Sequence, residues 1–192
     1  MGAMSESGYY AAWLRLDGCR CVVVGGGRVA ERKIGRLLQS GAKVTVISPA
    51  VTPRIQQWSE SGRVTWHERG YGEGDIAGAR IVFAATDDRA LNRRVFAAAD
   101  AAGKWVNVAD DATLCTFLVP AVYRRKHLQI AISTLGTAPQ TAKRLRLLLE
   151  NDVAQGTQNF QKEVLSFEEL GRDGDGHGDG HGHGHGPHQC GE

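Results

Sequence analysis

Three groups of residues in this chain have types and spacings suited to chemistry. The first lies in "VVVGGGRVAERK", where Gly25-x-Gly27-x-x-Ala30 follows an apolar run and opens a helical pattern. Gly25 permits a tight turn, Gly27 lets the backbone approach a pyrophosphate, and Ala30 lets the helix pack close to the strand. The free N–H groups of that helix start would face the phosphates, as would its partial positive charge. Arg28 and Val29 sit inside the turn. The second group is acidic. One apolar run ends in "AATDD" and the next in "NVADD", which places Thr86, Asp87, Asn107, Asp110 and Asp111 beyond strand ends. Asp87 or Asp88 also suits a helix cap. Asp110 has no helix directly after it to cap, and so is the better candidate for proton transfer. The third group is the tail "GDGHGDGHGHGHGPHQCGE", with His177, His181, His183, His185 and His188. A purification tag would be an unbroken run, whereas these histidines alternate with Gly and Asp. Neutral imidazoles next to Cys190 make a flexible ligand set for a divalent transition metal.

The elements that must position these groups follow from periodicity. "CVVV" (21–24) reads as a buried strand, and Val29–Ser40 as a helix stopped by Gly41. "KVTVIS" is a second strand. Thr52-Pro53 starts a helix as cap and first position, and Gly62 ends it. "RVTWHE", "ARIVFAAT" and "KWVNVA" are three further strands, with a helix before the last that runs to Ala102. Alternation of this kind predicts an α/β fold, a Rossmann-like parallel sheet with helices on both faces. Ligands of such sheets bind beyond the C-terminal strand ends, so the glycine turn and the acidic group would share one cleft. The second strand ends in Ser48, Pro49 and Ala50. No carboxylate stands there for a ribose hydroxyl, and the nearest arginine is Arg54. These residues leave NAD and NADP both open. After Asp111 the pattern changes. "TFLVPAVYRRKHLQIAIST" predicts two strands around a basic turn, "TAPQTAKRLRLLLEND" a helix, and 153–170 a weaker one. The predicted organisation is a Rossmann-like domain over 1–112, a small α+β region over 113–150, a short helical segment over 151–172 and a Gly/His tail over 173–192.

Bulk properties narrow the function classes. The formal net charge is +2, and the tail holds four acids (Asp173, Asp175, Asp179, Glu192) and no base, so the rest carries +6. A mild basic excess suits an anionic small molecule as well as it suits nucleic acid, and alone it decides nothing; for the chain as a whole a small-molecule partner is expected, with no nucleic acid and no membrane. No apolar run approaches the ~20 residues of a membrane span. The four cysteines offer no disulfide framework: Cys19 and Cys21 are neighbours on one strand, Cys115 lies in a loop and Cys190 in the tail. A reducing, cytoplasmic setting is expected. His67 falls in the third strand and reads as structural; His127 falls in the basic turn.

In order and spacing, "GGGRVAERK", "AATDD", "NVADDATLCTFLVPA" and "LQIAISTLGTAPQTAKRLR" resemble the siroheme synthase N-terminal family, over roughly residues 9–150. Its members are precorrin-2 dehydrogenases, some of them also sirohydrochlorin ferrochelatases. The resemblance implies NAD as oxidant, a tetrapyrrole substrate, and a homodimer joined through 113–150. It implies Asp110 as general base, cofactor contacts at Arg28-Val29 and Pro49-Ala50, and a hydroxyl near the substrate at Thr134. Thr86 and Asp87 join the cofactor candidates, and Asn107, Arg124 and Lys143 the substrate candidates. Arg124, Arg125, Lys126, Lys143, Arg144 and Arg146 could neutralise substrate carboxylates. Two departures stand out. The family's helical module after 150 is reduced to 153–170, and its glycine pair reads Leu135-Gly136. Three readings follow: an NAD-dependent precorrin-2 dehydrogenase, a chelatase whose His tail supplies Fe(II) or Co(II) as substrate, and a non-enzymatic NAD- and metal-binding module.

Overall fold

The protein is described from a computed structural model over residues 8–126 and 128–155. These fall into two compact units, one formed by residues 8–118 and the other by 119–155.

The first unit is built on five parallel strands: β1 (Arg20–Val24), β2 (Lys43–Ile47), β3 (Val64–His67), β4 (Ile81–Ala84) and β5 (Trp105–Val108), in the order β3-β2-β1-β4-β5. The chain leaves β1 toward β2 on one side and returns to β4 on the other. The strand order therefore reverses between β1 and β4, which opens a crevice at their C-terminal ends. Helices α1 (Arg28–Gln39) and α2 (Pro53–Glu60) cover one face, and α3 (Arg89–Ala101) the other. With both faces covered, β1 has no solvent side. This is why Cys21, Val22, Val23 and Val24 form an unbroken buried apolar run instead of alternating. Val23, Val46, Ile34 and Ile55 belong to the core on the α1/α2 face; Val22, Val82, Val95 and Val106 belong to the core on the α3 face. Each such burial contributes about 1.5–3 kcal/mol.

The expected caps form. Thr52 Oγ1 accepts from the Ile55 N–H at 3.4 Å, with Pro53 at the first helical position. At α3 the choice falls on Asp88, whose Oδ1 accepts from the Ala90 and Leu91 N–H groups at 2.8 and 3.0 Å; Asp87 stays exposed. Two short 3-10 helices, Glu73–Ile76 and Ala112–Leu114, were not read from the sequence. The compact unit runs past the expected boundary at 112, and the reason is local. The chain from Thr113 to Leu118 folds back along the outer edge of β5. Thr116 N–H donates to Val106 O at 2.9 Å, Thr116 Oγ1 accepts from Val106 N–H at 2.8 Å, and Cys115 Sγ accepts from Val108 N–H at 3.2 Å. Phe117 then packs edge-on to Phe83, with centroids 5.6 Å apart.

In the second unit, β6 (Ala121–Arg125) and β7 (Leu128–Ile132) pair as an antiparallel hairpin, with Arg125 opposite Leu128. The turn enters through Lys126 at φ 45°, the left-handed conformation that tight hairpins need. Helix α4 (Pro139–Gln155) packs on the hairpin, and its buried residues are Ala142 and Val153. It runs unbroken through residue 150, where the sequence reading placed a boundary. The remainder of the expected weaker helix, from 156 on, and the Gly/His tail lie outside the described residues. Among the described residues no helix is long and apolar enough to cross a membrane.

Candidate active site

The glycine turn is shaped by three different demands. Gly25 has φ 115°, and a Cβ there would strike Ala85 O. A Cβ on Gly26 would strike Ala50 O and lie 2.8 Å from Ser48 Oγ, so the turn and the chain after β2 are in direct contact. The Thr52 N–H to Gly26 O bond at 2.9 Å ties them further. Gly27, by contrast, faces open space, with nothing within 4 Å of its would-be Cβ. It is the N-cap of α1, and no side chain caps that helix. Uncapped N–H groups above a void that a side chain would fill fit a dinucleotide pyrophosphate. Arg28 and Val29 are exposed beside the void, while Ala30 is fully buried against the sheet. Sequence reasoning passed over Gly26 because the fingerprint leaves the middle position free; only the fold shows what presses on it.

The chain after β2 is held by Ser48. Its hydroxyl donates to Ala50 O at 2.7 Å, and its carbonyl accepts from Trp66 Nε1 at 2.9 Å. This leaves Pro49 and Ala50 on the surface next to the glycine turn.

The acidic end is organised by a residue the sequence reading missed. Asn92 is buried in α3, 1% exposed. Its Oδ1 accepts from Thr86 Oγ1 at 2.7 Å and its Nδ2 donates to Thr86 O at 2.9 Å, while the same amide reaches Asp110 Oδ1 at 3.4 Å. Asn92 thus gathers the ends of β4 and β5. It was detectable in principle as the one polar residue on the buried stripe that continues with Val95 and Ala99. Thr86 spends its hydroxyl on Asn92. The Asp110 carboxylate is half-exposed, with Oδ2 3.8 Å from Arg89 Nε. Arg89, Asn92, Arg93, Val108, Asp110, Asp111 and Leu114 line a cleft of about 200 Å³. A cleft of that size receives one ring or one acidic arm of a ligand, not a whole macrocycle. Asp111 turns to its own backbone: it caps the 3-10 helix, accepting from Thr113 N–H at 3.0 Å and Thr113 Oγ1 at 2.5 Å. The Thr113 hydroxyl is the largest cause of its lowered carboxyl pKa, followed by the Thr113 N–H.

Asn107 does not join this cleft. It is buried on the opposite face of β5, where its Oδ1 accepts from Lys33 Nζ at 2.7 Å and its Nδ2 donates to Phe117 O at 3.0 Å and Cys115 Sγ at 3.4 Å. The alternation of side chains along a strand, with Val106 and Val108 facing α3, requires this placement. Three further candidates belong to the second unit. Thr134 Oγ1 accepts from Ala138 N–H at 3.1 Å at the approach to α4. Leu135 and Gly136 both adopt left-handed φ, 52° and 82°, so the departure from a glycine pair leaves a bulky residue in a glycine conformation. Arg124 lies exposed in β6 with its Nε 3.4 Å from Gln129 Oε1, and Lys143 lies exposed in α4. His177, His181, His183, His185 and His188 lie outside the described residues. Among the described residues no His/Cys/Asp/Glu group is arranged to hold a metal.

Comparison with known proteins agrees with this architecture. The family model NAD_binding_7, described as "Putative NAD(P)-binding", matches residues 12–121. The siroheme synthase of Nitrosococcus oceani is 40% identical over 147 residues, 77% of this chain and 31% of that protein. The siroheme synthase of Gluconacetobacter diazotrophicus is 41% identical over 155 residues, 78% of this chain and 33% of that protein. The chain thus spans about a third of the length of these relatives. A solved structure titled "SirC, precorrin-2 dehydrogenase" superposes with a TM-score of 0.71 at 31% identity, covering 86% of this chain and 79% of its own. An uncapped glycine turn, a 3-2-1-4-5 parallel sheet and these likenesses lead to one conclusion: the chain belongs to the siroheme synthase N-terminal family, with an α/β, Rossmann-like NAD(P)-binding domain.

Proposed function

We propose that the protein is a precorrin-2 dehydrogenase that oxidises precorrin-2 to sirohydrochlorin with NAD. The observation that carries this reading is the half-exposed Asp110 carboxylate in a cleft at the same sheet end as the uncapped glycine turn. Bound NAD would supply the hydride acceptor. The chain's own part is to bind, orient and take a proton. The α1 N-terminus would hold the pyrophosphate, with Arg28-Val29, Pro49-Ala50, Thr86 and Asp87 as the further residues that would hold the cofactor. The oxidation removes a hydride from one carbon of the macrocycle and a proton from a position conjugated with it; Asp110 takes that proton, and the electron pair it leaves behind closes the new double bond. Asn92 and Arg89 hold that carboxylate. Arg89 and Arg93 are the cleft's cations for a substrate carboxylate, with Arg124, Lys143 and Thr134 as further substrate contacts.

Three finer assignments accompany this reading. The exposed Leu145, Leu147 and Leu148 of α4 fit a homodimer contact. Fe(II) or Co(II) is a second substrate, gathered for insertion by the tail histidines. The cytoplasm supplies the NAD pool this reading needs.

The test is NADH formation, read by absorbance, on mixing the protein with precorrin-2 and NAD. Asp110→Asn keeps the shape and loses the base, and should lower kcat by about 10²-fold or more with NAD affinity intact. Full activity in that variant removes Asp110 from the role, and no NADH from the native protein removes the reading. Repeating the assay with Fe(II) or Co(II), with and without residues 173–192, reads the insertion step. Equal insertion rates at limiting metal would exclude delivery by the tail.

A further inference from the structure

On the α1 face of the sheet, behind the acidic cleft, lies a group the proposed reaction does not use. Lys33 is in the second turn of the helix that begins at the glycine turn, and its ammonium points inward. It sits 4.8 Å from the Phe83 ring centroid and 2.7 Å from Asn107 Oδ1. Among the described residues no carboxylate pairs with it, and Arg32 and Arg36 on its own helix oppose its charge. A largely buried amine in such a place is unfavourable unless its one acceptor is held in position. Asn107 is so held, because every polar atom of its side chain is engaged. Its amide passes the contact on to Cys115 Sγ at 3.4 Å and Phe117 O at 3.0 Å. Cys115 in turn closes the Asp110 loop on itself. Its Sγ accepts from Val108 N–H at 3.2 Å and lies 3.2 Å from Asp111 O. A continuous line of hydrogen bonds therefore runs from the cofactor helix, through Lys33, Asn107 and Cys115, to both ends of the segment that carries Asp110.

We propose that Lys33 is a positioning residue: through Asn107 and Cys115 it sets the Asp110 loop in register with the helix that binds the cofactor. The inference rests on the dehydrogenase reading for its kinetic consequence and on the fold alone for its structural one. Neither Lys33 nor Asn107 touches the reacting atoms. What they control is where the carboxylate stands relative to the cofactor, and a displacement of about an ångström at such a site can cost up to ~10²-fold in rate.

The experiment uses the full chain as Lys33→Met, Asn107→Leu, both together, and Asn107→Asp. The last keeps an acceptor for Lys33 but removes the amide donor to Cys115 and Phe117, and serves if Lys33→Met fails to fold. Three quantities are read: kcat at saturating NAD and precorrin-2, the NAD dissociation constant from tryptophan fluorescence, and amide hydrogen exchange. Each single variant should lower kcat by about tenfold or more while NAD affinity stays within about twofold. The double variant should be no worse than the worse single one, as for two links of one chain. Exchange at residues 109–115 should quicken in every variant, while exchange in β1 and the glycine turn does not. Unchanged kcat, a loss confined to NAD affinity, additive losses, or unchanged exchange at 109–115 would each overturn the proposal. If the native protein makes no NADH, the dehydrogenase reading fails by itself, and the exchange measurement still decides the positioning role.

Discussion

Among single residues, the amine of Lys33 has the clearest energetic signature. Burial lowers its pKa from the ordinary 10.5 to about 8, with Arg36 and Arg32 adding to the effect and Cys115 opposing it. Below pH 8 the amine is charged in both the folded and the unfolded chain, and folding bears the whole cost of burying that charge. Between pH 8 and 10.5 the unfolded chain binds more protons, so stability rises with pH; above 10.5 the cost is gone. The full span corresponds to about 3 kcal/mol. Denaturant melts of the native protein and of Lys33→Met at pH 7 and pH 10 should show the difference between them shifting in the native protein's favour by about 2–3 kcal/mol. A pH-independent difference would mean the amine is solvated. Cys115 leans the other way: burial raises its thiol pKa, so it stays a neutral hydrogen-bonding group near neutrality. Neither property could be read from "GGGRVAERK" or "NVADDATLCT". Both depend on β5 turning Asn107 toward α1, a pairing across 74 residues. The place of Asp110 at a strand end, by contrast, was legible: it lines the cleft, and the capping falls to Asp111.

At the level of elements, the five strands and the helices that separate them could be read closely, because each has a period and a chemical stop. Thr52-Pro53 opens α2, Asp88 opens α3, and Gly41, Gly62 and Gly103 follow helix ends at left-handed φ. The 3-10 helices could not be read, since three or four residues carry no period. Nor could the return of residues 113–118 along β5, which depends on one hydroxyl, Thr116, meeting one strand edge. The glycine turn shows what a motif leaves unsaid. Gly25 and Gly26 are dictated by neighbouring carbonyls, whereas Gly27 alone is dictated by what must bind. Gly26→Ala should therefore push the chain after β2 away from the turn, destabilising the fold by about 1–3 kcal/mol and weakening NAD together. Gly27→Ala should weaken NAD while leaving the melting temperature nearly unchanged. Thermal melts and NAD titrations of the two variants separate these outcomes, and equal melting losses would show that Gly27 is also a packing glycine.

For the whole molecule, the question is what covers α4. Leu145, Leu147 and Leu148 are each at least 41% exposed, on a helix whose buried contacts are Ala142 and Val153. A second copy of the chain is the proposed cover. Leu145→Glu with Leu148→Glu should convert a dimer to a monomer in light scattering, with the melt of the 8–118 unit retained. A native monomer, or a dimer that survives both changes, would exclude this face. The first unit faces a related hazard at the end of its sheet. β5 is an edge strand, and open edges invite pairing with any extended chain. Here its outward groups are already taken: Val106 bonds to Thr116 through both N–H and carbonyl, and the Val108 N–H goes to Cys115 Sγ. The flap that follows Asp110, the proposed proton acceptor, is thus also a bung against self-templating. A fluctuation that lifts residues 113–118 would disarm the chemistry and bare a sticky rim at the same instant, so selection for a working loop is also selection against fibrils.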